Sequence, residues 1–232
     1  MLKAHISPPK PIDRTEAALV VAMLDGSLPP GQRLPNERDL SVHLGVTRPT
    51  LREALRRLAG EGWLTVQHGK STVVNDHFQT GGLGLLATAA RFPEYLPPSF
   101  VRGLLEVRVH LVPPMAAAAA EREAQLLGEM LASPEAGAAE PQVLARFDWA
   151  LQLRMAQLSG NPVNRMIMND FEPIFRLQAC HYFKSEAARR LAYEYYMRLR
   201  QALEANDVWQ VQEIVRWAMR ESVRIWNESQ ID

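Results

Sequence analysis

Between residues 47 and 60 the apolar side chains Leu51, Ala54, Leu55 and Leu58 fall at i, i+3, i+4 and i+7. That spacing lines up one face of an α-helix. The opposite side carries Pro49, Arg52, Glu53 and Arg56, with Arg48 flanking. Thr47 is placed to cap this helix and Gly60 to end it. A shorter helix is expected over 36–44, opened by Pro35-Asn36 and closed by Gly45 at C′, where glycine permits a tight turn. Upstream, Asp13 with Glu16 three residues on reads as a capping-box-like entry to a helix over 13–25 that ends at Gly26. Downstream, residues 63–67 and 71–75 are rich in β-branched and aromatic side chains, and His68-Gly69-Lys70 joins them as a hairpin. The expected order is helix, helix, turn, helix, β-ribbon.

Such a module suits double-stranded DNA. Arginine can bond guanine O6 and N7 bidentately or clamp a phosphate. Thr47 and Thr50 stand at a helix start, where hydroxyls and N–H groups meet phosphate oxygens. Lys70, at a hairpin tip beside glycine, is a small cation that fits a minor groove, and His68 can reach a phosphate or base edge. A solvated, charged helix face would show the same spacing; the ribbon behind it favours the DNA reading. Charge divides accordingly. The chain has 26 basic and 26 acidic residues, yet residues 1–75 hold ten basic and seven acidic side chains. A mildly basic head therefore precedes a mildly acidic body, and a histone-like coating protein is excluded.

From about residue 80 the pattern is helical. Amphipathic stretches cover 99–131, 141–158, 162–183, 185–205 and 207–229, parted by Ser133-Pro134, Glu140-Pro141, Ser159-Gly160-Asn161-Pro162 and Asn206-Asp207. Short connections predict an antiparallel bundle. Pro113-Pro114 should kink or split the first stretch. The fold class is thus mainly α: a winged helix-turn-helix of three helices plus a β-hairpin wing over 1–76, a linker with a short helix over 77–98, and an all-helical antiparallel bundle over 99–232. Hydrophobic residues at 47% leave room for a true core. Cys180 is the lone cysteine, which fits a reducing cytoplasm without disulfides. The N-terminal MLKAHISPPKP lacks the apolar region of a signal peptide, and no run suits a membrane span.

The run LPNERDLSVHLGVTRPTLREALRRLAGEGWLTVQHGK (34–70) resembles the winged helix-turn-helix of GntR-type bacterial regulators. GWLTVQHGKSTVVND (62–76), LSGNP (158–162), HYFKSEAARRLA (181–192) and ESVRIW (221–226) extend the likeness to the FadR subfamily over nearly the whole chain. The resemblance implies a homodimer on a palindromic operator, with DNA contacts at Arg38, Thr47, Arg48, Thr50, Arg52, His68, Gly69 and Lys70. Pro49 departs from it, standing where the fatty-acid-responsive members have a DNA-contacting threonine.

Most of that subfamily bind a metal and a small carboxylate through Asp and His four apart on one helix and two later histidines. Here Asp148 is followed at that distance by Gln152, and no histidine lies in 185–232. No metal or cofactor is expected, and Asp148 reads as a structural residue bonded within the bundle. The fatty-acid-responsive members lack the metal set and take long-chain acyl-CoA, which relieves operator binding. On spacing alone, Val208, Val211, Val215, Ala218, Ser222 and Ile225, with Met219 and Trp226 beside them, make a core stripe. The resemblance instead implies ligand contacts at Arg108, Tyr182, Tyr196, Ser222 and Trp226, with Met219 on the same line in place of a glycine and Phe175 in place of a tyrosine. Arg102, Arg108, Arg216, Arg220 and Arg224 are candidate partners of CoA phosphates. A metal-bound carboxylate effector is the alternative. An acyl-CoA-handling enzyme finds no support, since there is no nucleophile motif and the neighbours Cys180 and His181 do not face each other on a helix.

Overall fold

A computed structural model describes residues 10–66, 71–97, 99–137 and 139–229. It forms two compact units, one ending at Leu96 and one beginning at Pro97. Among the described residues no helix is both long and apolar enough to cross a membrane.

In the first unit α1 spans Pro11–Leu24, α2 Glu37–His43 and α3 Arg48–Glu61. Pro11 occupies the first turn of α1, where its missing N–H costs nothing, and Lys10 at the N-cap contributes no side-chain bond. Asp13 and Glu16 therefore do not form the expected capping box. Glu16 is buried and meets Arg57 Nη1 at 3.3 Å, with Asp13 4.0 Å from the same nitrogen, so both acids tie α1 to α3. The caps of α2 and α3 do form: Asn36 accepts from the Asp39 N–H at 3.0 Å and Thr47 from the Thr50 N–H at 3.4 Å. Leu51, Ala54, Leu55 and Leu58 are all buried. Gly60 lies inside α3. Gly62, at φ +94°, ends it, and Trp63 N–H then bonds Leu58 C=O at 2.9 Å. The stop falls where the next residue, a fully buried Trp63, must turn back into the core.

The ribbon is shorter than expected. β1 is Leu64–Thr65 and β2 Val73–Val74, antiparallel with Leu64 opposite Val74. Residues 31–34 supply a further partner that sequence reading missed: Arg33 bridges Val73, and Leu34 N–H bonds Thr72 C=O at 2.8 Å. Pro35 holds Leu34 extended, which suits the pairing. His68, Gly69 and Lys70 lie outside the described residues.

The segment taken as a linker holds two short helices, α4 (His77–Thr80) and α5 (Gly84–Ala89), and a 3-10 turn at Pro93–Tyr95. It packs back onto the head. Leu85 and Ala89 share one core with Val20, Leu58 and Trp63, with Phe92 and Leu96 against it. Glu61 Oε2 accepts from Thr88 Oγ1 at 2.6 Å and from Trp63 Nε1 at 3.2 Å, joining α5 to the end of α3.

In the second unit α6 spans Ser99–Leu131, α7 Pro141–Leu158, α8 Pro162–Tyr182, α9 Glu186–Glu204 and α10 Val208–Ser229. These bounds follow the amphipathic stretches closely. α6 packs on α7, α9 and α10, with α8 on α7 and α9 on α10. The backbone does not break at Pro113-Pro114. Glu123, with φ −150° and ψ 47°, is the non-helical residue within α6, ten residues beyond the first proline. The prolines are carried because tertiary packing holds the helix together, with Pro113 itself buried.

Candidate functional site

Among the described residues, two places can meet a partner. The first is the solvent side of α3. Arg38, Thr47, Arg48, Pro49 and Arg52 are all exposed. Arg52 Nε lies 2.7 Å from Glu37 Oε2, so α2 and α3 are pinned together near their N-termini. Arg56 is bound by Glu53 at 2.8 Å, and Arg57 turns to α1. Among the described residues no acid pairs with Arg38 or Arg48, which leaves two free guanidinium groups around the N-terminal turn of α3. Thr47 Oγ1 and Thr50 Oγ1 hydrogen-bond each other at 2.9 Å. That face offers cations, hydroxyls and a helix N-terminus together, the donor set that a DNA backbone requires. Exposed ion pairs such as Arg52–Glu37 contribute little, so a phosphate can displace the carboxylate cheaply.

The second place is a cavity inside the bundle. α6 contributes Leu104, Leu105 and Arg108; α8 contributes Phe171, Ile174, Phe175 and Tyr182; α9 contributes Leu191 and Tyr195; α10 contributes Met219, Ser222 and Trp226. The wall is chiefly apolar. Its free space is about 80 Å³. Ligand pockets for small molecules run to roughly 300–1,000 Å³. The cavity is therefore small for such a ligand as it stands.

One side of this cavity is polar and buried. Arg108 is buried and donates from Nε to Gln152 Oε1 at 3.1 Å and from Nη2 to Met219 Sδ at 3.2 Å, with its guanidinium 5.3 Å from the Phe175 ring centre. Asp148 accepts from Gln152 Nε2 at 2.7 Å and from Tyr196 Oη at 2.9 Å. Burial lowers the affinity of Arg108 for its proton, and Asp148 works against that change. Burial likewise raises the Asp148 carboxyl above the usual range, opposed by Arg108, Tyr196 and Gln152. The phenols of Tyr182, Tyr195 and Tyr196 are pushed up, first by burial and then by the charge of Asp148. All three remain protonated donors at neutral pH.

Of the expected ligand residues, Arg108, Tyr182, Met219, Ser222 and Trp226 line the cavity. Tyr196 stands behind the wall, committed to Asp148. Ser222 is also spoken for, its hydroxyl donating to Met219 C=O at 2.7 Å. Asp148 has the structural bonds expected of it. Tyr195 and Trp149 were not foreseen as lining residues. The stripe Ala188, Ala192, Tyr195, Leu199, all buried, carries the signal that would have found Tyr195. The candidate CoA cations are mostly paired: Arg102 with Glu106, Arg216 with Glu213, and Arg224 with both Glu221 and Glu228. Gln152, four residues after Asp148, bonds both the Asp148 carboxylate and the Arg108 guanidinium. Among the described residues no three His, Cys, Asp or Glu side chains are placed to hold a metal ion.

Comparison with known proteins adds an independent line. The model for bacterial regulatory proteins of the gntR family matches residues 11–74, and the model for the FadR C-terminal domain matches residues 75–232. A protein of Pectobacterium carotovorum named fatty acid metabolism regulator protein is 35% identical over 221 residues, spanning 95% of this chain and 92% of that one. Its namesake in Escherichia fergusonii is 36% identical over 220 residues, with the same coverage of each chain. Among solved structures, the Listeria monocytogenes protein Lar, described as controlling expression of the agr system, aligns with a TM-score of 0.65 at 16% identity, over 96% of this chain and 99% of that one. That likeness is one of fold.

Proposed function

We propose that this chain, which belongs to the GntR family of bacterial regulatory proteins and carries the family's FadR-type C-terminal domain, regulates genes of fatty-acid metabolism and releases its operator when long-chain acyl-CoA enters the bundle. Regulators of this family bind DNA operators and are not enzymes. The observation that carries the effector reading is the apolar cavity, whose wall suits a hydrocarbon chain. The name borne by relatives at 35–36% identity supports the metabolic setting.

The smallness of the cavity supplies a mechanism. An acyl chain does not fit into about 80 Å³, so entry must part the helices that surround it. A packed core switches between discrete arrangements rather than swelling evenly. Ligand therefore favours an opened bundle by the difference in its affinity for the two states. In a homodimer bound to two half-sites, a change in the bundle passes along the chain into 77–96 and alters how the heads are held. The loss of simultaneous engagement then lowers operator affinity. Arg38, Thr47, Arg48, Thr50 and Arg52 are the described residues assigned to DNA in this scheme, with His68, Gly69 and Lys70 of the wing. Arg220, exposed and without an ion pair among the described residues, is the freest candidate for a CoA phosphate.

The test is a titration of operator complex with oleoyl-CoA and, separately, with CoA. Release by the first and not by the second is expected. Retention of the complex at saturating oleoyl-CoA would reject the effector and leave the DNA-binding role standing.

A further inference from the structure

The bundle's unpaired buried donors all face the same problem. Trp149 Nε1, Tyr182 Oη and Tyr195 Oη are shut away from water and, among the described residues, lack a hydrogen-bond partner. All three residues line the cavity. Arg108 lines it too, and its guanidinium, able to donate five hydrogen bonds, makes one to an amide oxygen and one to a thioether, a weak acceptor. Buried donors without acceptors are uncommon in native proteins and cost free energy wherever they persist. The polar side of this cavity is a set of donors awaiting an acceptor. Asp148 already accepts from Tyr196 and Gln152, and the Ser222 hydroxyl is turned to donate to Met219 C=O.

A bare hydrocarbon would leave every one of these donors unpaired. We propose that the ligand admitted to this cavity carries an oxygen acceptor, a carbonyl or carboxylate oxygen, which is held between the Tyr195 and Tyr182 hydroxyls and the Arg108 guanidinium. This rests on the acyl-ligand reading above and deepens it. The acceptor end of the ligand lies inside the bundle, with the hydrocarbon against Leu104, Ile174 and Trp226. Tyr195 becomes a specificity residue: it distinguishes an acyl group from an alkyl group of equal length. A site built around hydrogen-bond donors rejects the analogue that lacks the acceptor more strongly than an apolar pocket rejects a missing methylene. The oxygen also replaces the thioether as the partner of Arg108, which frees Met219 to move when ligand enters.

The experiment uses the full-length protein and three ligands, with affinities measured by calorimetry. Palmitoyl-CoA carries the thioester carbonyl. S-hexadecyl-CoA lacks only that oxygen. Palmitate carries a free carboxylate. The unmodified protein should prefer palmitoyl-CoA or palmitate to S-hexadecyl-CoA by about tenfold or more, the worth of pairing an otherwise bare buried donor. Tyr195→Phe should reduce that preference several-fold while leaving S-hexadecyl-CoA binding nearly unchanged. Loss of palmitate affinity in the variant identifies the carboxylate as the acceptor; loss confined to palmitoyl-CoA identifies the thioester. Equal affinity of the unmodified protein for palmitoyl-CoA and S-hexadecyl-CoA overturns the inference and spares the acyl reading. So does a preference that survives Tyr195→Phe intact. Failure of all three ligands to bind overturns the acyl reading itself.

Discussion

Tyr195 and Tyr196 are neighbours on α9, 2% and 3% exposed, yet removal of their hydroxyls should have opposite effects on stability. Phenylalanine preserves each ring and its packing, including the edge-on contact of Tyr196 with Phe147 at 5.1 Å. The substitution therefore isolates the oxygen. Tyr196 Oη donates to the Asp148 carboxylate at 2.9 Å, whereas Tyr195 Oη is buried and bare. Loss of a hydrogen bond to a charged group costs about 1.5–3 kcal/mol. Removal of a buried unsatisfied hydroxyl returns about 1 kcal/mol, the lower end of its desolvation penalty. Tyr196→Phe should thus be less stable than Tyr195→Phe by about 3 kcal/mol, or roughly 6–12 °C in a chain of this length. Urea unfolding of the ligand-free, full-length variants, followed by helical circular dichroism, reads this as midpoints on either side of the unmodified protein. An unchanged m-value confirms that the denatured state is the same. If Tyr195→Phe destabilises as much as Tyr196→Phe, the Tyr195 hydroxyl has a partner in the free protein, and the reasoning from unpaired donors is refuted.

Arg48→Ala should weaken operator binding roughly tenfold and lower the slope of log affinity against log salt by about one, read by fluorescence anisotropy over a salt series. Arg57→Ala should leave that slope unchanged and lower the melting temperature instead, because Arg57 is engaged with Glu16. His77 is buried against Trp63 and Phe78, and burial holds its imidazole below the ordinary 6.5. The unfolded chain takes up that proton first, so stability should fall as pH drops through 6.5 and level off below the folded value; His77→Phe should flatten this part of a stability–pH profile. Gly81→Ala would set a Cβ 2.4 Å from the His77 carbonyl oxygen and 2.7 Å from Leu85 Cδ1. It should cost about 1–3 kcal/mol in chemical denaturation, as overpacking does.

Much of this architecture is legible in the sequence where local periodicity and burial agree. The stripe from Leu51 to Leu58 is buried throughout, and the five bundle helices begin and end within a residue or two of their punctuation. What escaped was decided by distant partners. Gly60 and Gly62 are equally good stops by composition, and the burial of Trp63 selects the second. Asp13 and Glu16 have the spacing of a capping box, but Arg57 on another helix claims both. Residues 31–34 lack the alternation of a strand and pair only because β2 lies beside them. At the cavity, the Arg108, Tyr182 and Trp226 positions were foreseen through family likeness. That Tyr195 and not Tyr196 lines the cavity was not, because adjacent tyrosines on one helix differ only in which way the bundle closes over them.

The return of the chain into the head after β2 has a mechanical consequence. A tug on the backbone at Leu96 is borne by Leu85, Ala89 and the Thr88–Glu61 bond before any strain reaches the ribbon. The load is delivered to the C-terminal end of α3, the end remote from Arg48 and Thr47. α3 is thereby tied at its base to the segment that leads out of the head, while Arg52 near its other end is tied to α2. Strain that arrives at Glu61 therefore enters a helix held at both ends, by α5 at one and by α2 at the other.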